Sequence, residues 1–111
     1  MADCFQDVVK VADTYVAERD PASCAWAWGE ALLMYSLSLL DDELGQSRYQ
    51  GFYQAYADHH HRVGYVVDQS DSCAPALITN ELYKKTGDEK YLEMTQAGIA
   101  YLKYEPRLVE D

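Results

Sequence analysis

The sequence predicts an all-α protein built of helical hairpins, on three observations. Apolar residues recur at spacings of three and four along most of the chain, prolines and glycines fall between those stretches, and two of the hairpins so marked resemble one another. Outside Gly64–Val67, reading GYVV, no stretch of four or more residues prefers strand over helix.

The first helix is predicted over residues 3–19, where Phe5, Val8, Val9, Ala12, Tyr15 and Val16 share one face. Asp20-Pro21-Ala22-Ser23 stops it, because proline restricts the residue before it and carries no N–H, and Ser23 is placed to cap the next helix. That second helix is expected from Cys24 to Leu40, ended by the polar turn Asp41 to Ser47 with its glycine. Ser47 is the expected cap of a third helix, Arg48 to Arg62, with Tyr49, Phe52, Tyr53 and Tyr56 on one face. Gly64 to Ser72 lacks a helical period and reads as an ordered loop. A fourth helix, Cys73 to Lys85, carries Pro75 in its first turn, where a missing N–H costs little. Thr86-Gly87-Asp88 closes it. The fifth runs from Glu89 to Tyr104 with Tyr91, Leu92, Thr95, Ile99 and Leu102 inward, and Pro106 ends it.

Ala31-Leu32-Leu33 corresponds to Ala76-Leu77-Ile78, 45 residues on, and Arg48-Tyr49 to Lys90-Tyr91, 42 residues on. A helical hairpin recurring at that period marks a solenoid or an α/α toroid, and two copies alone do not separate the two.

The 111 residues suit a single domain, 1–111, and 49% hydrophobic with 25% charged residues is the ordinary globular mixture. Nineteen acidic against nine basic residues give a formal charge of -10, which repels phosphate backbones and anionic lipid heads. No nucleic acid and no membrane is therefore expected as a partner. The longest largely apolar run, Ala25 to Leu40, falls short of the ~20 residues that span a bilayer, and Met1-Ala2-Asp3-Cys4 lacks the start of a secretory signal, so the expected location is cytoplasmic. Cys4, Cys24 and Cys73 form no CxxC pair and read as free, buried or half-buried thiols. No cofactor is expected. Nor is a metal, since His59, His60 and His61 would point about 100° apart on a helix and cannot together hold one ion.

The segment Val66 to Arg107, VVDQSDSCAPALITNELYKKTGDEKYLEMTQAGIAYLKYEPR, resembles the N-terminal half of glycoside hydrolase families 88 and 105. The likeness rests on the SDSCAPA step, TGDEKY at its distance from that step, and Pro106-Arg107. Trp26-Ala27-Trp28-Gly29-Glu30-Ala31-Leu32 is similar to the aromatic-rich inner helix of those families, so the resemblance spans about Trp26 to Arg107. It implies part of an (α/α)6 toroid, since the full barrel has more than twice the five helices readable here. It also implies hydrolysis of oligosaccharides bearing a 4,5-unsaturated uronic acid at the non-reducing end. In that chemistry an aspartate protonates the enol-ether double bond, water adds, and the hemiketal collapses. This differs from attack at the anomeric carbon, so carboxylate separation does not report the outcome.

By the resemblance Asp71 is the first of two active-site aspartates, and the second belongs beyond the Pro-Arg step. Position alone offers another reading, because Asp71 and Ser72 stand where caps of the fourth helix belong. For sugar binding the resemblance points to Trp26 or Trp28 as stacking rings and to His60 or His61 as hydrogen-bonding groups. Their alternative is ordinary: Trp26, Trp28, Tyr35, Tyr49, Phe52, Tyr53 and Tyr56 as core, and the histidines as a helix end. The expected function is thus a glycoside hydrolase-like domain, a truncated or partial hydrolase, that acts on or binds unsaturated uronyl oligosaccharides. The alternative is a non-catalytic helical-repeat module that binds carbohydrate or a protein partner. An incomplete ring leaves a hairpin face uncovered, so a homodimer through the first or fifth helix is also expected.

Overall fold

The computed structural model describes residues 2–68 and 70–104, and of residues 2–5, 70, 71 and 104 the backbone alone. Five full helices and one single-turn helix make up the fold, with no strand among the described residues: α1 (Ala2–Glu18), α2 (Trp28–Leu44), α3 (Gln50–Val63), α4 (Ser70–Cys73), α5 (Ala76–Thr86) and α6 (Glu89–Tyr104). A 3₁₀ turn, Pro21–Ser23, lies between α1 and α2. The all-helical class read from the periodicity is what the chain adopts, and no described helix is long and apolar enough to cross a membrane.

α2 and α3 form one hairpin and α5 and α6 another, with α2 packed on α5. Lys85, near the end of α5, pairs with Asp42, near the end of α2, at 2.8 Å, so these two helices run parallel and their N-termini share one end of the bundle. The core between them holds Met34 and Leu37 of α2, Tyr53 and Tyr56 of α3, Ile78 and Leu82 of α5, and Tyr91 and Met94 of α6. Tyrosine contributes much of this core, and each of these buried phenols finds an acceptor, as a hydroxyl removed from water must. Tyr53 donates to Asp41 at 2.9 Å, Tyr56 to the Ala25 carbonyl at 2.8 Å, and Tyr91 to Asp58 at 2.5 Å. α1 packs Ala12, Tyr15 and Val16 against this body and is tied to it by Asp13, whose carboxylate accepts two bonds from Arg48, at 3.0 and 2.7 Å, and one from the Tyr49 hydroxyl at 2.9 Å.

Several boundaries differ from the expected ones. The second helix begins at Trp28 instead of Cys24, because Ser23 gives its hydroxyl to the Asp20 carbonyl and closes its own turn, and Cys24 and Ala27 are extended. It continues to Leu44 through residues expected to form a turn. Asp41 stays helical because its buried carboxylate accepts the Tyr49 N–H, and Gly45, with φ 68, then ends the helix in the left-handed region open to glycine. Ser47 therefore does not cap α3: Tyr49 stands at the cap position without a capping bond from its side chain, and Asp41 accepts the Tyr49 N–H from eight residues back.

The expected fourth helix is divided. Ala74 and Pro75 form a turn between α4 and α5, and α5 starts at Ala76. In α6 Tyr91 and Thr95 are buried as expected, but Met94, placed on another face by its spacing, is buried too, while Ile99 and Leu102 are 47% and 52% exposed. Those two line an open groove that no neighbour fills among the described residues. On α1, Ala12 is buried and Val8 exposed, and the Phe5 side chain lies outside the described residues. Cys24 and Cys73 are buried, and Cys4, Pro106 and Arg107 lie outside the described side chains.

Candidate aromatic site at the N-terminal end of the bundle

Because α2 and α5 run parallel and α3 returns alongside α2, the start of α2, the end of α3 and the approach to α5 meet at one end. Here the backbone leaves the 3₁₀ turn in an extended stretch that offers two carbonyls to α3. Tyr56 donates its hydroxyl to Ala25, and one turn later His60 places Nε2 2.7 Å from the Cys24 carbonyl. A carbonyl only accepts, so Nε2 carries the proton and Nδ1 of the neutral ring is left bare.

Trp26 lies over this pair of bonds. Its ring is 5.4 Å from Tyr56 in a stacked arrangement, 4.9 Å from His60 and 5.3 Å from Tyr65. Gly64 makes Tyr65 available: with φ 97 it ends α3 and turns the next residue back onto the last turn, a conformation costly for any side chain with a Cβ. The indole N–H of Trp26 is buried without a hydrogen-bond partner among the described residues, which leaves an unsatisfied donor in the cluster. Burial pushes the His60 pKa below its ordinary value, opposed by the Cys24 carbonyl and reinforced by the neighbouring His59. Burial likewise raises the phenols of Tyr56 and Tyr65.

Of the residues singled out from the sequence, Trp26 and His60 come together and the others stand apart. Trp28 is 58% exposed on the first turn of α2 and belongs to no ring cluster among the described residues. His61 turns toward α6, with Nε2 3.7 Å from a Glu93 carboxylate oxygen. His59 meets Arg62 at 3.3 Å. The three rings thus have three different neighbours, as a helical run of adjacent residues requires. The described residues contain no cluster of three or more His, Cys, Asp or Glu able to hold a metal.

Asp71 lies within α4, at the same end, and its side chain is outside the described residues. It stands five residues ahead of Ala76, and the cap reading made for its side chain lies outside the described residues. Ser72, its proposed companion, accepts from the Asp68 N–H at 3.0 Å and donates to the Asp68 carboxylate at 3.2 Å, closing the loop instead. Just beyond, Cys73, Ala74, Leu77, Ile99 and Leu102 border a largely apolar cavity of about 430 Å³ between α5 and α6.

Sequence reasoning did not single out Tyr65 or the carbonyls of Cys24 and Ala25. Tyr65 carried one usable signal, an aromatic residue directly after a helix-ending glycine. The carbonyls carried none, because the backbone is the same at every position. Set against models of known families, curated proteins and solved structures, the chain finds no match in any of the three.

Proposed function

We propose that this chain is part of an α/α toroid that binds oligosaccharides ending in a 4,5-unsaturated uronic acid, and that Asp71 is one carboxylate of the corresponding hydrolase site. The observation that carries the reading is the Trp26–Tyr56–His60–Tyr65 ring cluster at the end of the bundle where α2 and α5 begin. Apolar sugar faces stack on such rings, while hydroxyls need fixed polar groups beside them. Neither α2 nor α5 has a side-chain cap at its N-terminus, and each presents the positive end of its dipole, although in α5 the Leu77 and Ile78 N–H groups are already taken by the Ala74 and Pro75 carbonyls. Glu30 occupies the first turn of α2, whereas α5 has no acidic residue in its own. For a uronate carboxylate in a chain of charge -10, the α5 start beside α4 therefore offers its dipole without a competing first-turn acid.

The test is titration with a lyase-generated unsaturated disaccharide, following tryptophan fluorescence for binding and ultraviolet absorbance of the double bond for turnover. Saturable quenching is expected, abolished in Trp26→Ala and retained in Trp28→Ala. Asp71→Asn should weaken binding or turnover with the melting temperature unchanged. An unchanged fluorescence and a constant absorbance at high protein concentration reject the reading. A second reading, a helical module that binds a protein partner, is favoured by the exposed apolar residues of α2 and of the α5–α6 groove. It predicts no response to any uronide.

A further inference from the structure

α2 carries no charged residue from Ala31 to Leu40, in a chain that is otherwise strongly acidic. A helix apolar around its whole circumference is one made to be covered on every side. Its inner seam, Ala31, Met34, Ser38 and Asp41, is buried in the core. Roughly a third of the way round the helix runs a second seam, Trp28, Leu32, Tyr35 and Leu39, at spacings of four, three and four. That is the spacing of one helix packing along another. Trp28, Leu32 and Leu39 are nonetheless 58%, 42% and 48% exposed, with Tyr35 half-buried between them.

We propose that this seam pairs with the same seam of a second copy of the chain, α2 against α2, across a two-fold axis near Tyr35 and Ser36. Three features favour a copy over another occupant. Bringing together two chains of charge -10 is tolerable only through a surface without charge, and this seam is such a surface. A regular helix seam also complements its own two-fold mate without further adaptation. The three side chains expose apolar area on the order of 300 Å², a large part of the apolar share of the ~800 Å² that each partner gives to a standard interface. Ser36, exposed beside the axis, already donates its hydroxyl to the Leu32 carbonyl at 2.9 Å, so covering it leaves no donor unsatisfied. The homodimer expected from the sequence is thereby assigned to α2 instead of the first or fifth helix. This pairing depends on packing alone and is independent of the sugar reading.

Sedimentation and light scattering of the full chain at tens of micromolar should give about twice the 12.6 kDa chain mass. The double variant Leu32→Lys, Leu39→Lys should halve that mass with the helical circular dichroism unchanged, since both positions face solvent within one chain. Ser36→Cys should yield a covalent dimer on mild oxidation that the native chain does not form. A single-chain mass for the native protein across that range, or a double variant that stays dimeric, overturns the proposal. So does a dimer broken by Ile99→Lys and not by the α2 changes, which would assign the interface to the α5–α6 groove.

Discussion

Gly98 is buried where α6 crosses the turn between α4 and α5. A Cβ there would meet the Ala76 Cβ at 2.9 Å and the Cys73 carbonyl oxygen at 3.2 Å, and the second of these is backbone that cannot step aside. Alanine normally stabilises a helix over glycine by up to about 1 kcal/mol, but overpacking costs ~1–3 kcal/mol, so the contact decides the sign. Gly98→Ala is expected to lower stability by about 1 kcal/mol in urea unfolding, whereas Gly51→Ala on α3, with nothing within 4 Å, should raise it by about 0.5 kcal/mol. His60 has the opposite kind of constraint, one of charge. Burial holds its folded pKa below the ordinary 6.5, so above that pH the ring is neutral in both states and contributes its full stability. As pH falls below 6.5 the unfolded chain takes up a proton that the folded protein resists, and stability declines until the folded pKa is passed. Melting temperatures from about pH 8 to about pH 5 should show this decline in the native chain and a shallower one in His60→Gln. The sequence marked His60 as a candidate but not its environment, because the Cys24 carbonyl it meets lies 36 residues away.

Among the helices the informative case is the join between α2 and α3. The seven residues Asp41 to Ser47, polar apart from Leu44 and Gly45, look like a turn by composition, yet α2 runs through four of them. The reason is the buried Asp41 carboxylate, which accepts the Tyr49 N–H at 2.9 and 3.2 Å and the Tyr53 hydroxyl at 2.9 Å, and so extends one helix while starting the next. Asp41→Ala would strand both donors in the core and is expected to cost about 3 kcal/mol, with Asp41→Asn recovering part of it. Loss of the same amount on replacing the exposed Glu43 would contradict this account. The division of the expected fourth helix has a similar basis. Ser72 turns its hydroxyl to Asp68, which closes a separate turn before Ala76 begins α5. Which of several nearby acceptors a serine chooses is decided by the fold around it.

Across the whole molecule the packing is uneven. α2, α3, α5 and α6 share one core, whereas α1 contributes only Ala12 to the fully buried set among the described residues and leaves Val8 and Val11 at 50% and 69% exposure. Its Tyr15 and Val16 pack only partly buried against the core, and its polar tie is the Asp13 cluster, in which Arg48 and then the Tyr49 hydroxyl hold the carboxyl below the usual range. Exposed ion pairs of this kind contribute little. Native-state hydrogen exchange should therefore find α1 amides the least protected of the five long helices and those of α5 and α6 among the slowest. Arg48→Ala should speed exchange in α1 selectively. Equal protection in α1 and α5 would show α1 to be an integral part of the core.

The order of amino acids was enough to establish the helical class, the succession of the long helices, the stops near Gly64 and Gly87, and the tyrosine-rich face of α3. Spacing, glycine conformation and side-chain polarity are local properties that survive any tertiary context. Packing between distant segments was needed to settle that Trp26, not Trp28, joins His60, that Met94 is inside while Ile99 and Leu102 are outside, and that Asp41 caps a helix eight residues away. Each of those outcomes depends on which of two equally apolar or equally polar faces a distant segment covers, and distance through space is what local patterning does not encode.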